Sequence, residues 1–128
     1  MADDIKTFDE FWPHYVRAHA TKGNRTLHFM GTSAAMALLA AGLITKRRWL
    51  LLAAPIVGYG LAWTGHFVVE KNKPATFGHP VWSLQADFKM WAMILRGEMD
   101  AEVAKYVAEG NGAGAHEPSP DATRSSVN

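Results

Sequence analysis

The chain has 128 residues, a formal net charge of +1 and no cysteine. This length predicts one domain, the near-neutral charge gives no case for nucleic acid as a partner, and the lack of cysteine excludes disulfides, thiolate ligands and cysteine nucleophiles. Any bound metal must therefore be held by histidine, carboxylate or backbone oxygen. The acidic, polar N-terminus is not expected to be a secretory signal.

A first helix is predicted to follow Thr7 and to run to about His19. Thr7 and Glu10 have the spacing of a capping box. Pro13 lies past the first turn and is expected to kink this helix or delay its start. Aromatic side chains recur at helical spacing along one face: Phe8, Phe11, Trp12 and Tyr15. This stripe suits either a protein core or a membrane interface, and the sequence leaves both interpretations open.

Two long uncharged segments come next, joined by the short basic turn 45–48. The first is predicted as a helix from about Asn24 to Ile44, and its small residues would allow close helix packing. The second, Trp49 to Val69, has 21 residues without charge, and about 20 are needed to span a bilayer. We predict a transmembrane helical hairpin. A buried hairpin in a small soluble four-helix domain is the alternative.

The C-terminal part contains a further apolar helix and a tail. Pro80 has the preferred first position of a helix, which is predicted to run to about Leu95 and to stop at Gly97. A short helix is predicted over 100–109, and the composition from Gly110 onward predicts disorder. The expected fold is therefore all-α: a small helical membrane bundle built on a transmembrane helical hairpin with flanking interfacial helices. Residues 1–109 would form the domain and 110–128 a disordered tail.

Basic residues predict the orientation of the hairpin. Its turn carries three (Lys46, Arg47, Arg48), and the opposite side carries six (Arg17, Lys22, Arg25, Lys71, Lys73, Lys89). By the positive-inside rule, the side with the termini is expected in the cytoplasm.

The hairpin predicts that two histidines lie at the same level. His28 lies 17 residues before Thr45, and His66 lies 18 after Arg48. At 1.5 Å per residue, both lie about 26 Å from the turn, at the termini end of the bundle.

Two more histidines are predicted to reach this level. His19 ends the first helix one tight turn before the second, and His79 directly precedes the last apolar helix. A single histidine at a helix end usually caps it, but four segments that meet at one depth favour a shared metal site. His14 lies on another face and His116 lies in the tail, so neither is expected to take part.

Polar residues around this end of the bundle are candidates for contacts with the ligating histidines or with substrate. Imidazole and carboxylate ligands without thiolate suit iron, manganese or zinc. Asn24, Glu70 and Asp87 could accept the second ring N–H of a ligating histidine, although Asn24 could simply cap a helix and Asp87 could be solvated. We predict Glu70 and Asp87 as catalytic residues and Asn24 as substrate-binding. Lys71 and Lys73 are also predicted to bind substrate, through a fatty carboxylate or an anionic headgroup; the alternative is that they snorkel at the membrane edge.

Two motifs in order carry a family resemblance. They are His19-x4-Asn24-x3-His28 followed by Gly31, and Gly65-His66-x3-Glu70-Lys71-x2-Pro74-Ala75. Together they resemble the fungal endoplasmic-reticulum 2-hydroxy fatty acid dioxygenase of phytosphingosine breakdown. The segment 76–84, with Asp87 and Met90 after it, resembles the small bacterial branch of that family. The resemblance covers roughly residues 8 to 96.

The resemblance implies an integral membrane enzyme that uses Fe2+ and dioxygen. It implies that a 2-hydroxy fatty acid is shortened by one carbon in an α-oxidation, with membrane lipid as the surroundings. His19, His28 and His66 match the shared histidines of the family and would be iron ligands. His79 belongs to a segment that varies across the family. The chain is shorter than the fungal members and has fewer apolar segments.

Two other functions fit the same histidines. One is a b-type haem protein with His28 and His66 as axial ligands across the hairpin. The other is a non-catalytic membrane module in which the histidines only cap helices and form hydrogen bonds. A Soret band would indicate the first, and absence of stoichiometric metal would favour the second.

Overall fold

The computed structural model describes residues 5–114, and this part of the chain is helical without strands. The α-helices are α1 (Phe8–Ala18), α2 (Lys22–Thr45), α3 (Arg48–Thr64), α4 (Pro80–Leu95) and α5 (Met99–Gly114). A π-helix, Gly65–Glu70, continues α3, and a 3-10 turn, Ala75–Phe77, precedes α4. The prediction of an all-α fold is confirmed.

The start of α1 follows the predicted cap in part. Thr7 Oγ1 accepts a hydrogen bond from the Glu10 backbone N–H at 3.2 Å, and this satisfies one of the donors that a helix start leaves open. The Glu10 carboxylate accepts from the backbone N–H of Lys6 at 2.9 Å instead of reaching back to Thr7. Pro13 lies inside α1 without ending it.

Helices α2 and α3 form the predicted hairpin and cross closely. A Cβ built on Gly31 would lie 2.8 Å from the Gly58 carbonyl oxygen, so the two backbones touch at this level. The turn between the helices contains Lys46 in a left-handed conformation, with φ of 58°. The segments Lys22–Thr45 and Arg48–Glu70 are both long and apolar enough to cross a membrane.

Most of the apolar surface of the hairpin is uncovered by the rest of the chain. Ile44 is 80% exposed, Ile56 73% and Leu52 69%. Contiguous apolar surface of this kind is unfavourable in water and favourable against lipid. The structure therefore favours membrane association over the soluble buried hairpin.

Helices α1, α4 and α5 form a separate core beside the termini end of the hairpin. The aromatic face of α1 packs there against methionines of α4 and α5, and the buried members of this core are Phe11, Trp12, Tyr15, Val16, Ala86, Met90, Met93, Met99 and Val103. The aromatic stripe of α1 is thus a core face. Arg25 connects the two parts, because its guanidinium donates to the carbonyls of His19 and Ala20 and pairs with Asp100 at 3.2 Å.

The C-terminal helix is longer than predicted. Helix α5 runs to Gly114, whereas the sequence predicted a helix end at 109 and a tail from Gly110. The backbone of 110–114 continues the helical turn although its glycines have low helix propensity. The rest of the predicted tail, 115–128, lies outside the described residues.

Candidate metal centre

Three histidines from separate segments meet at the end of the hairpin opposite its turn. His19 caps α1, His28 lies near the start of α2, and His66 lies in the π-helix. Their ring centroids are 4.4 Å (His19–His28), 4.5 Å (His19–His66) and 4.8 Å (His28–His66) apart. All three side chains are buried, with at most 4% exposed. We call this group the histidine triad.

Each ring of the histidine triad has one nitrogen that faces an oxygen of the protein. The contacts are from His19 Nδ1 to the Tyr15 carbonyl at 2.6 Å, from His28 Nδ1 to the Asn24 carbonyl at 3.0 Å, and from His66 Nδ1 to Asn72 Oδ1 at 2.7 Å. These oxygens can only accept, so each Nδ1 carries the proton and donates. Each Nε2 is then left with a lone pair.

The lone pairs of His19 and His28 face each other at short distance. Nε2 of His19 and Nε2 of His28 lie 3.1 Å apart, and two lone pairs at this distance repel unless a cation lies between them. With metal–nitrogen distances of about 2.1 Å, two ligands of one ion lie about 3.0 Å apart at a right angle and about 3.4 Å apart at the tetrahedral angle. One donor atom from each of the three histidines lies within 4.8 Å of the others. The donor set therefore fits a single metal ion after a small closing movement.

Burial keeps His19 uncharged. Burial, together with the neighbouring His28 and His66, lowers the pKa of His19 well below its usual value. A histidine binds metal as neutral imidazole, so this environment suits a ligand. His14 packs separately, with its ring centroid 6.0 Å from that of Phe11.

Glu70 ties the π-helix to the start of α2. Its carboxylate accepts hydrogen bonds from the Thr21 backbone N–H at 2.8 Å, from Thr21 Oγ1 at 2.7 Å and from Asn24 Nδ2 at 3.3 Å. A negative charge at this point also complements the N-terminus of α2. The contacts of this predicted catalytic residue hold the segment of His66 against the helix of His28.

Asn24, predicted to bind substrate, fills the junction between α2 and the π-helix. It is fully buried, and its amide N–H also reaches the Ala18 carbonyl at 3.5 Å. Its Oδ1 has no hydrogen-bond partner among the described residues. A Cβ built on Gly65 would overlap this oxygen, so a side chain at residue 65 would force the buried Asn24 side chain to move.

Asn72 is a residue of this site that the sequence analysis missed. Besides accepting from His66, its amide donates to the Ala18 carbonyl at 2.9 Å, and its backbone N–H donates to the His66 carbonyl at 2.9 Å. The chain turns back through Lys71, which has a positive φ of 59°. The polar run after the apolar segment was a signal for a site, but helical spacing alone does not reveal this left-handed turn.

Asp87 of α4 approaches the histidine triad through Tyr15. The Tyr15 hydroxyl donates to Asp87 Oδ1, and the Tyr15 ring stacks on His19 with centroids 3.9 Å apart. Burial raises the pKa of Asp87 to about 7. Burial and the Asp87 charge raise the pKa of Tyr15 well above its usual value. Asp87 is therefore not a solvated surface group, and its carboxyl can hold or release a proton near neutral pH.

An apolar cavity of about 330 Å³ adjoins the histidine triad between α2, α3 and α4. The polar residues that line it are His28, Thr32, Tyr59 and Asp87. Small and aliphatic side chains form much of the remaining wall, among them Leu39 and Ala54. We call this space the hairpin cavity.

The other predicted site residues lie elsewhere. His79 precedes α4, and its ring packs against the rings of Phe11 and Trp82, at 5.4 and 5.1 Å between centroids. It is not part of the group whose ligand atoms meet. Lys71 is exposed, and Lys73 places its ammonium 5.6 Å from the centre of the Phe77 ring. Neither lysine lines the hairpin cavity.

The spacing of the rings leaves no room for a haem. Axial ligands must stand on opposite faces of a flat macrocycle. The rings of His28 and His66 instead stand edge to face at 4.8 Å, with the His19 ring 4.4 and 4.5 Å from them. A macrocycle cannot enter between groups packed this closely.

Comparison with known proteins gives one family. The family described as "Mpo1-like: 2-hydroxy-palmitic acid dioxygenase Mpo1-like" matches residues 5–99, which is most of the chain and contains every member of the histidine triad. Neither the curated proteins nor the solved structures contain a match.

Proposed function

The chain belongs to the Mpo1-like family, and from this membership we propose that it is an iron(II)-dependent dioxygenase that shortens 2-hydroxy fatty acids by one carbon. The family description supports dioxygenase chemistry on a 2-hydroxy acid. The observation that carries the metal requirement is the group of three buried histidines whose ligand atoms lie within 4.8 Å of one another, each ring being oriented by a protein oxygen. This is the arrangement in which proteins hold metal-ligating histidines.

In this proposal the histidine triad holds the metal ion. Three histidine ligands leave coordination positions open, and an all-nitrogen neutral set is compatible with Fe2+. When bound, iron would supply the Lewis-acid and redox chemistry that lets dioxygen react with the 2-hydroxy acid. The protein supplies a buried, water-poor pocket in which the ligands are already oriented.

Asp87 and Tyr15 form the proposed proton-handling pair. Asp87 lines the same cavity as His28, and a carboxyl with a pKa of about 7 is suited to accept the proton of a substrate hydroxyl. Tyr15 keeps this carboxyl in place through its hydrogen bond. Glu70 and Asn24 would act by fixing the two segments that carry the histidines, and not by contact with substrate.

The proposed location is the inner membrane of a bacterium, with the termini and the metal centre on the cytoplasmic side. The excess of basic residues at the termini end supports this orientation. Lys71 and Lys73 are exposed at that end, where two positive charges would attract fatty carboxylates or anionic headgroups to the membrane edge.

Product analysis tests the proposed reaction. The protein is purified without oxygen, loaded with Fe2+ and then given oxygen and a 2-hydroxy fatty acid. We expect a fatty acid one carbon shorter, no product with His66→Ala and full turnover with His14→Ala, a histidine outside the triad. Full activity of His66→Ala, or products of unchanged chain length from the wild type, would overturn the proposal.

A further inference from the structure

The hairpin cavity has a polar end and a long apolar remainder. The polar end lies at the histidine triad, because His28 belongs to both and the Asp87 carboxyl is bound to Tyr15, whose ring stacks on His19. Tyr59 also lines the cavity and interacts electrostatically with Asp87. A ligand that fits must therefore carry oxygen atoms at one end and hydrocarbon along the rest.

The apolar remainder runs along the hairpin towards its turn. Along α2 the cavity wall extends from His28 to Leu39, eleven residues apart, which corresponds to about 16 Å of helix. Along α3 the wall runs in the opposite chain direction, from Ala62 to Ala54. Leu39 and Ala54 thus mark the end of the cavity that is farthest from the histidine triad.

Three of the five α3 residues that line the cavity are small, and the other two are Pro55 and Tyr59. Ala54, Gly58 and Ala62 recur every four residues and so share one face of the helix. Ala54 is 1% exposed and Ala62 is 8% exposed, although the outer faces of the hairpin are open. Small residues along one helix face leave space for an unbranched chain that lies along the helix.

We propose that the hairpin cavity is the acyl channel of this protein, and that Ala54, Gly58 and Ala62 determine how many carbons of a 2-hydroxy fatty acid it holds. The identity of the ligand rests on the proposed function. An extended chain advances about 1.2 Å per bond, as the dimensions of an extended polypeptide show. A channel of about 16 Å would then hold roughly thirteen bonds of acyl chain.

Three substitutions test different positions along the channel. Ala62→Leu fills it beside the triad and should exclude chains of every length, whereas Ala54→Leu fills only the far end and should exclude the ends of long chains. Leu39→Ala enlarges the far end and should admit longer chains, so it tests the proposal even if a bulkier residue at 54 or 62 prevents folding. Ala40→Leu is the matched control, because Ala40 is exposed beside Leu39 and does not line the cavity.

Photocrosslinking of metal-free protein in lipid nanodiscs locates the bound acyl chain and does not require turnover. The probes are 2-hydroxy fatty acids of graded length with a diazirine at the last carbon, and peptide mass spectrometry locates the adducts. We expect the tips of short chains near Ala62 and the tips of long chains near Leu39 and Ala54. Ala54→Leu should lower the far-end adducts about tenfold or more, the scale of an overpacked site, and Ala40→Leu should leave them unchanged.

Adducts scattered over the lipid-facing sides of α2 and α3, with no dependence on chain length, would overturn the proposal that the hairpin cavity is the acyl channel. Graded adducts in a protein that makes no shortened acid would support the channel and refute only the proposed reaction. Shortened product together with adducts outside the hairpin cavity would refute only the channel.

Discussion

The orientation of single imidazole rings favours a metal site over a packed histidine cluster in this protein. Histidines that only fill space need one hydrogen bond each and can point their other nitrogen anywhere. Here each Nδ1 donates to a protein oxygen, and the Nε2 atoms of His19 and His28 face each other. For His66 the oxygen comes from a side chain, Asn72, and so can be removed by substitution.

Replacement of Asn72 by leucine should weaken metal binding. The ring of His66 loses its acceptor, and the link to the Ala18 carbonyl is lost with it. Loss of such an outer partner typically costs about 10- to 100-fold in metal affinity. Competition with a metal chelator measures the change, with Gln85→Leu as the control because Gln85 is an exposed amide on α4. Unchanged affinity in Asn72→Leu would contradict the assigned role.

The carboxyl of Asp87 should make stability depend on pH. Its pKa is raised to about 7 by burial, so the folded state prefers the protonated form. The stability that this preference contributes is complete below the unfolded pKa of about 4 and is lost as pH rises towards 7. The stability of Asp87→Asn relative to wild type should therefore increase with pH over this range, by on the order of 2–4 kcal/mol in total. Tyr15 and Tyr59 are the titratable groups that face residue 87.

Unfolding of metal-free protein in detergent, followed at several pH values, measures this effect. The difference between the two proteins should be small near pH 4 and should grow towards pH 7. A constant difference over that range would show that folding does not raise the pKa of Asp87.

At the scale of elements, the close crossing of α2 and α3 sets the distance between His28 and His66. Gly31 lies three residues after His28, and a side chain there meets the Gly58 carbonyl and Leu61 Cβ, at 2.8 and 3.2 Å. Gly31→Leu should separate the helices, lower stability by about 1–3 kcal/mol and reduce metal affinity. Gly60→Leu is the matched control, because nothing lies within 4 Å of a Cβ at residue 60.

Thermal unfolding and metal titration of both glycine variants test this crossing. If Gly31→Leu binds metal as tightly as Gly60→Leu, then the crossing does not position the histidine triad.

The geometry of the helices also explains how much of the site could be predicted from the sequence. The fixed rise of a helix placed His28 and His66 at one level from residue counts alone. The π-helix could not be predicted this way, because it changes the turn at the end of α3 without a sequence rule. His79 directly precedes α4, as the sequence predicted, but its ring packs against Phe11 and Trp82. Residue spacing predicts the level of a side chain along a helix and not the direction in which it points.

At the scale of the whole molecule, the chain combines an open apolar hairpin with a compact core of α1, α4 and α5. Apolar content and segment length predicted the hairpin, and the structure agrees. The sequence left the role of the aromatic face of α1 undecided, because a core face and an interfacial face have the same periodicity. Its partners, methionines of α4 and α5, lie some 75 to 90 residues away along the chain.

The orientation of the molecule can be tested cleanly because the chain has no cysteine. Thr45→Cys places a thiol at the hairpin turn, and Asp9→Cys places one at the start of α1; both positions are exposed. In intact cells with a permeable outer membrane, a membrane-impermeant maleimide should label Thr45→Cys and spare Asp9→Cys. The reverse pattern would contradict the proposed cytoplasmic position of the metal centre.

The metal content of the purified protein tests the central claim most directly. Elemental analysis after anaerobic loading with Fe2+ and removal of free metal should give about one ion per chain for the wild type, as a single group of three ligands implies. His14→Ala and His79→Ala should keep this content, and alanine at residue 19, 28 or 66 should abolish it. Equal metal content in all five variants, or no stoichiometric metal in the wild type, would contradict the account.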